Sequence, residues 1–272
     1  MSVPRSSSAP FARRLLTVTG MHELGAVYRL LTVSDPDGPE PHPGQFAMLA
    51  AAERWGGGED ERPYLPRAFS IARRRDGESH FLLEDVGPGT RRLCELHAGE
   101  GLWVLGPLGL GFSPPSEGRR AILVGGGVGI APLAILQDVL DGDTTVLLGF
   151  RDGARLEGAT LLERAGLATD DGSAGHHGPV TDLLAAELMS DAHAVVYACG
   201  PEGMLEAVRA LCATLEVPAQ LALEAGMACG FGACYGCVVP RRGGGYLRVC
   251  VDGPVIEASE LERIGEHEGS PA

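Results

Sequence analysis

The chain has 272 residues, 44% of them hydrophobic, and a formal charge of −14. That is enough apolar material for two small domains and an appendage, and a surface so acidic repels nucleic acid and anionic membrane, which excludes both as partners. Lysine is absent, which rules out lysine Schiff-base catalysis and the P-loop lysine; no apolar run approaches the ~20 residues of a spanning helix, so the sequence reads as soluble.

In chain order, residues 1–14 are rich in Ser and Pro and end on Arg13 and Arg14. A targeting peptide can look like this, but no amphipathic helix accompanies the arginines, so the segment reads as a disordered tail and the compartment as cytoplasmic. From Leu15 onward short apolar runs are broken by turns: Leu15 to Val18, Val27 to Val33, Gln45 to Ala50, Phe69 to Arg73, His80 to Asp85 and Leu102 to Leu105. Spacing of about ten to fifteen residues with Gly and Pro between them predicts a small antiparallel barrel. Gly87-Pro88-Gly89-Thr90 opens a short helix through Leu93, and Arg67-Ala68-Phe69-Ser70 begins a strand. An arginine suits a pyrophosphate, an aromatic ring stacks on a flavin, and a hydroxyl suits the flavin N5 edge. Taken alone, the same residues describe an exposed arginine, a core phenylalanine and a capped turn.

Pro114, Pro115 and Gly118 mark a linker-like boundary near Ser113 to Gly118. Beyond it strands alternate with helices: Ala121 to Val124, Pro132 to Leu140, Thr145 to Phe150, Ala194 to Ala198 and Met204 to Leu215. Apolar strands in that alternation predict a parallel sheet covered on both faces. The loop Gly125-Gly126-Gly127-Val128-Gly129-Ile130-Ala131 joins an apolar strand to a helix with Pro132 in its first turn. Backbone donors at such a turn cradle a dinucleotide pyrophosphate, although Ile130 stands where the Rossmann fingerprint has its last glycine; a tight structural turn is the other reading. Cys199-Gly200-Pro201 follows the last apolar strand and belongs on the same carboxyl-end rim.

Near the end, Cys229, Cys234, Cys237 and Cys250 are spaced C-x4-C-x2-C-x12-C. A tight loop that supplies three thiolates and a returning strand that supplies a fourth is how a chain holds a two-iron two-sulfur cluster. Gly230, Gly232 and Gly236 lie between them, where a curled backbone brings N–H groups to sulfur. A structural zinc site favours two C-x2-C clips, and only one is present. Cys94, Cys199 and Cys212 stand singly in apolar or helical surroundings and read as reduced buried thiols rather than a disulfide framework.

Together, Arg67-x-Phe69-Ser70, Gly89-Thr90, Gly106-Pro107-Leu108-Gly109, the Gly125 loop and Cys199-Gly200-Pro201 resemble the ferredoxin-reductase superfamily. The run Met227-Ala228-Cys229-Gly230-x-Gly232-x-Cys234-x-Gly236-Cys237, closed by Val249-Cys250-x-Asp252-Gly253-Pro254, is similar to the electron-transfer subunits of two-subunit, NAD-linked dihydroorotate dehydrogenases. So are Thr169 to Ser173 and Gly178-x-Val180-Thr181. The resemblance spans Leu15 to Glu257 and implies three parts: a barrel over 15–115 that binds FAD, an α/β domain over 116–220 that binds NAD, and a 2Fe-2S domain over 221–272. It implies FAD contacts from Arg67, Ala68, Phe69, Ser70, Leu82, Leu83, Glu84, Gly89 and Thr90, and NAD contacts from Gly125, Gly126, Gly127, Gly129, Cys199, Gly200 and Pro201. Ala68 and Glu84 depart from the common family pattern. The partner implied is an FMN-containing catalytic subunit that oxidises dihydroorotate in pyrimidine synthesis, in a heterotetramer of two copies of each. No catalytic acid or base is required of this chain. Arg151 past the second strand leaves NAD against NADP open on the residues alone. The alternative function is a related NAD(P)H-linked reductase subunit serving ferredoxin or a sulfhydrogenase-type partner.

Overall fold

The computed structural model describes residues 13–57, 62–140 and 144–264; most of the tail, through residue 12, lies outside them. Six strands, β1 (Arg13–Leu24), β2 (Tyr28–Ser34), β3 (Phe46–Ala51), β4 (Arg67–Arg75), β5 (Glu78–Glu84) and β6 (Gly101–Leu108), close an antiparallel barrel in the order β1-β2-β5-β4-β3-β6. The short helix α1 (Pro88–Cys94) stands between β5 and β6, as the turn at Gly87 predicts.

The first strand is longer than its apolar run. The apolar run ends at Val18, yet the register with β2 merely shifts between Val18 and Gly20 and continues to Leu24 opposite Tyr28, the use a bulge makes of glycine. At its other end the strand takes in both tail arginines, because each has a partner on the barrel. Arg13 lies over the Trp103 ring at 4.0 Å. Arg14 grips both carboxylate oxygens of Asp35, at 3.2 and 2.8 Å, and donates to the Gly106 carbonyl at 2.9 Å. Arg74 of β4 closes on the same residue, donating to the Asp35 carbonyl at 2.6 Å. Asp35 and Arg74 side chains are only 6% and 7% exposed, so this ion cluster joins β1, β4 and β6 away from water.

The second body is a seven-stranded sheet in the order β10-β9-β8-β7-β11-β12-β15. Its parallel strands are β7 (Arg120–Gly126), β8 (Thr144–Phe150), β9 (Ala165–Thr169), β10 (His176–His177), β11 (Ala194–Cys199) and β12 (Ala219–Ala222). Helices α2 (Ala131–Val139), α3 (Val180–Ser190) and α4 (Glu202–Thr214) cover it. The glycine run is not all loop: Gly125 and Gly126 finish β7, and Gly127–Ile130 is a 3₁₀ turn leading into α2. Four of these elements escape the apolar pattern: β9, five residues of Ala, Gly, Leu and Thr; β10, two histidines; α3, which begins behind Gly178-Pro179; and the four-residue β12.

Beyond β12 a hairpin of β13 (Val238–Pro240) and β14 (Tyr246–Arg248) carries the chain back, and β15 (Val255–Glu257) adds antiparallel to β12. The cysteine segment is therefore stitched into the sheet. Barrel and sheet are tied as well, since Arg73 and Arg75 of β4 both reach Asp138 of α2, at 2.8 and 3.0 Å. No described helix is long and apolar enough to cross a membrane.

Removing one partner of a buried ion cluster leaves the others uncompensated. Asp35→Ala should lower unfolding stability by about 3 kcal/mol, read as a shifted denaturant midpoint with unchanged cofactor content.

Candidate functional site

The strand order reverses at β7: the chain runs outward through β8, β9 and β10, then returns to β11 on the other side of β7. Ligands of open α/β sheets lie beyond the strand ends at such a switch point, and both glycine-bearing turns meet there. A side chain on Gly129 would run into the Cys199 carbonyl and the Gly200 backbone, and one on Gly125 into Ile130, Leu148 and Leu133. Gly129 allows the two turns to interlock, and Gly125 allows β7 to pack against β8 and α2. Gly127, at φ +56, has open space before it, and Gly126, Gly127 and Pro201 line a cleft of about 890 Å³. Cys199, Gly125, Gly129 and Gly200 do not line the cleft; Cys199 is buried behind it, and burial, then Glu224, pushes its thiol well above the usual range. This is an inert group.

The cleft opens onto the barrel, with Glu84 on one wall and Arg151, Arg155, Asp170 and Thr181 on the others. Arg155 bridges the two bodies, pairing with Glu84 at 3.2 Å and Asp152 at 2.6 Å. Arg155 and Glu224, another lining residue, carry no motif. Only their positions just past an apolar strand hint at the rim.

On the flavin side, Arg67, Ala68, Phe69 and Ser70 are half-buried along β4. Arg67 donates to the Leu65 carbonyl at 2.6 Å and occupies the space a side chain on Gly89 would need. The Thr90 hydroxyl accepts from the N–H groups of Val86 and Gly87 at 2.8 and 3.0 Å, fixing the turn into α1. Leu82 and Leu83 are buried in two different cores, so only their backbone is free to meet a ligand. His176 faces Asp182 at 3.1 Å on the exposed β10 loop, a surface pair.

The four expected ligand cysteines come together in two pairs. Cys229 lies against Cys234, and Cys250 against Cys237. Burial raises the Cys229 thiol, but the N–H groups of Phe231, Cys234 and Ala233 and the Cys234 thiol outweigh it and bring it down to about 6. Burial and the Cys237 thiol push Cys250 up to about 12. Backbone donors also reach sulfur at Gly236 N–H to Cys234 Sγ, 3.5 Å, and Cys250 N–H to Cys237 Sγ, 3.4 Å.

Each iron of a two-iron cluster takes two thiolates besides its bridging sulfides, and the two thiol pairs fit that demand. Among the described residues no three or more His, Cys, Asp or Glu are grouped as ligands of a metal ion, so the four thiols meet as pairs rather than as one preformed set. Cys250→Ser should leave iron and acid-labile sulfide near zero while flavin content stays unchanged, both measured on protein purified without oxygen.

Residues 224–262 match the family model of the iron-sulfur cluster binding domain of dihydroorotate dehydrogenase B. A curated relative from Caldanaerobacter subterraneus subsp. tengcongensis, the electron transfer subunit of dihydroorotate dehydrogenase B (NAD(+)), is 38% identical over 82% of this chain and 88% of its own. A probable subunit of the same kind from Methanopyrus kandleri is 39% identical over 81% and 80%. Among solved structures, the NADH-dependent reduced ferredoxin-NADP oxidoreductase superposes with a TM-score of 0.79 at 26% identity, covering 92% of this chain and 90% of that one. A ferredoxin reductase of carbazole 1,9a-dioxygenase, 22% identical with a TM-score of 0.61 over 77% and 66%, shares the fold. At these identities and coverages the chain belongs to the family of electron transfer subunits of NAD-linked dihydroorotate dehydrogenase B.

Proposed function

We propose that this chain links an FMN-containing dihydroorotate dehydrogenase subunit to NAD in pyrimidine synthesis, two copies of each subunit forming the working assembly. The observation that carries the reading is the order of the three sites: the cysteine pairs, the barrel strand beginning at Arg67, and the cleft at the sheet rim. Nicotinamide carries two electrons as hydride, a 2Fe-2S cluster one at a time, and FAD either way, so the flavin belongs in the middle.

The chain's own residues place and tune these groups. Gly126 and Gly127 offer backbone to a dinucleotide pyrophosphate at the cleft, where the Asp170 carboxylate, which disfavours a 2′-phosphate, stands with the Arg151 guanidinium, which would accept one. Arg67 and the α1 turn offer charge and N–H groups to the flavin phosphates. Cys229, Cys234, Cys237 and Cys250 hold the iron, and the N–H groups aimed at sulfur set how readily it accepts an electron. Phe231, Tyr235 and Tyr246 are 44%, 63% and 71% exposed beside the cysteines, a large aromatic surface at the point where a catalytic subunit must approach. Aromatic residues are enriched in interfaces.

The overlay on a ferredoxin-linked oxidoreductase favours a second reading, a reductase subunit serving ferredoxin, but the higher identity to the dihydroorotate dehydrogenase subunits weighs against it. Coexpression with a dihydroorotate dehydrogenase catalytic subunit separates the two. The first reading predicts a copurifying complex that reduces NAD when given dihydroorotate, with neither subunit doing so alone. Failure to form it, with ferredoxin reduced by NADH instead, would establish the second.

A further inference from the structure

The parallel strands β8 and β9 end level with one another. Phe150, the last residue of β8, is in register with Thr169, the last of β9, and the Asp170 N–H donates to the Phe150 carbonyl at 3.0 Å. Arg151 and Asp170 are therefore the first residues past adjacent strand ends, and both line the cleft at the sheet rim. A cation and a carboxylate thus share the wall along which one dinucleotide must lie.

Their neighbours are committed elsewhere. Arg155 is held by Glu84 and Asp152, at 3.2 and 2.6 Å, and Asp152 also takes the Ala154 N–H at 3.1 Å. Past Asp170, the Asp171 carboxylate takes the Ser173 N–H at 2.9 Å, and the Thr169 hydroxyl donates to the Ala174 carbonyl at 2.8 Å. These bonds fix both loops and leave two groups over: among the described residues neither the Arg151 nor the Asp170 side chain makes a hydrogen bond or ion pair. An arginine with no carboxylate to hold, in a chain of charge −14, is suited to receive an anion, and a guanidinium meets a phosphate with two parallel N–H bonds. The pyrophosphate has its own donors in the backbone of Gly126 and Gly127 at the end of β7, and Arg151 stands past β8, one strand further out. At the end of that second strand a bound dinucleotide presents the 2′ position of its adenosine ribose. A carboxylate there accepts from a 2′-hydroxyl, and an arginine accommodates a 2′-phosphate; this cleft has both.

We propose that Arg151 is a receptor for a ribose 2′-phosphate, so that the chain takes NADP(H) as well as NAD(H), Asp170 serving the one dinucleotide and Arg151 the other. The inference rests on the nucleotide reading of the cleft and goes beyond the NAD linkage of the family. The nicotinamide is the same in both dinucleotides. The choice made at Arg151 therefore changes binding and leaves the hydride chemistry as it is.

The test follows oxidation of NADH and of NADPH by the full, flavin-loaded chain with ferricyanide as electron acceptor. Two inhibitors accompany it, adenosine 2′,5′-bisphosphate and adenosine 5′-monophosphate, which lack the nicotinamide and differ only in the 2′-phosphate. The expected result is a kcat/KM for NADPH within about tenfold of that for NADH, and inhibition by the bisphosphate about tenfold tighter than by the monophosphate. Arg151→Gln should lower kcat/KM for NADPH about ten times more than for NADH and abolish the bisphosphate's advantage. Asp170→Asn should move the preference the other way, toward NADPH. Oxidation of NADH but not NADPH, inhibition indifferent to the 2′-phosphate, or equal loss of both dinucleotides in Arg151→Gln would overturn the proposal while the nucleotide reading stands. A flavin-loaded chain that oxidises neither dinucleotide would remove both.

Discussion

Gly230 has no room for a side chain: one placed there would meet Met48 and Leu108 of the barrel, and its φ of +79 is a conformation glycine adopts freely. This contact, one residue past the first cluster cysteine, presses the cysteine loop against β3. Met48 is paired in register with Ala68, and its neighbours Phe46, Ala47 and Leu49 pair with Ser70, Phe69 and Arg67. The loop thus lies one strand from the whole Arg67 to Ser70 segment. Electron exchange falls off steeply with distance, and this close approach is what the proposed relay from the cysteines to a flavin at β4 requires.

The same economy governs the nucleotide side. Gly129 lets the turn after β7 seat directly on the Cys199-Gly200 backbone, which fixes both turns at the switch point of the sheet. The Arg73–Asp138 and Arg155–Glu84 pairs then hold the barrel against that rim. They span the two bodies, Arg155 and Glu84 at the wall of the cleft itself, so the spacing between barrel and sheet rim is set by packed elements. The cysteine hairpin is locked in turn by β15, which pairs with β12 beside the rim.

How much of this is written locally in the sequence depends on the range of the contact involved. The barrel strands and the glycine turns are readable because apolar runs and turn residues alternate over a few positions. The cysteine spacing is readable for the same reason: four intervening residues fix the reach from Cys229 to Cys234. Their grouping as two pairs is not, since it depends on Val249 N–H bonding to the Cys237 carbonyl and folding Cys250 back. Arg13 and Arg14 look like tail residues because Trp103 and Asp35 are distant in sequence. β9 and α3 were hidden by small residues and by a Gly-Pro start, where propensity is weak and the packed sheet decides.

The central claim is that electrons can travel between nicotinamide and the cysteine-held iron through the flavin strand. Adding NADH alone to anaerobic, cofactor-replete protein and recording its paramagnetic resonance tests this directly. The account predicts the signal of a reduced two-iron centre from NADH as well as from a strong chemical reductant. A signal from the chemical reductant only, or a colourless zinc-loaded chain with none, would contradict it.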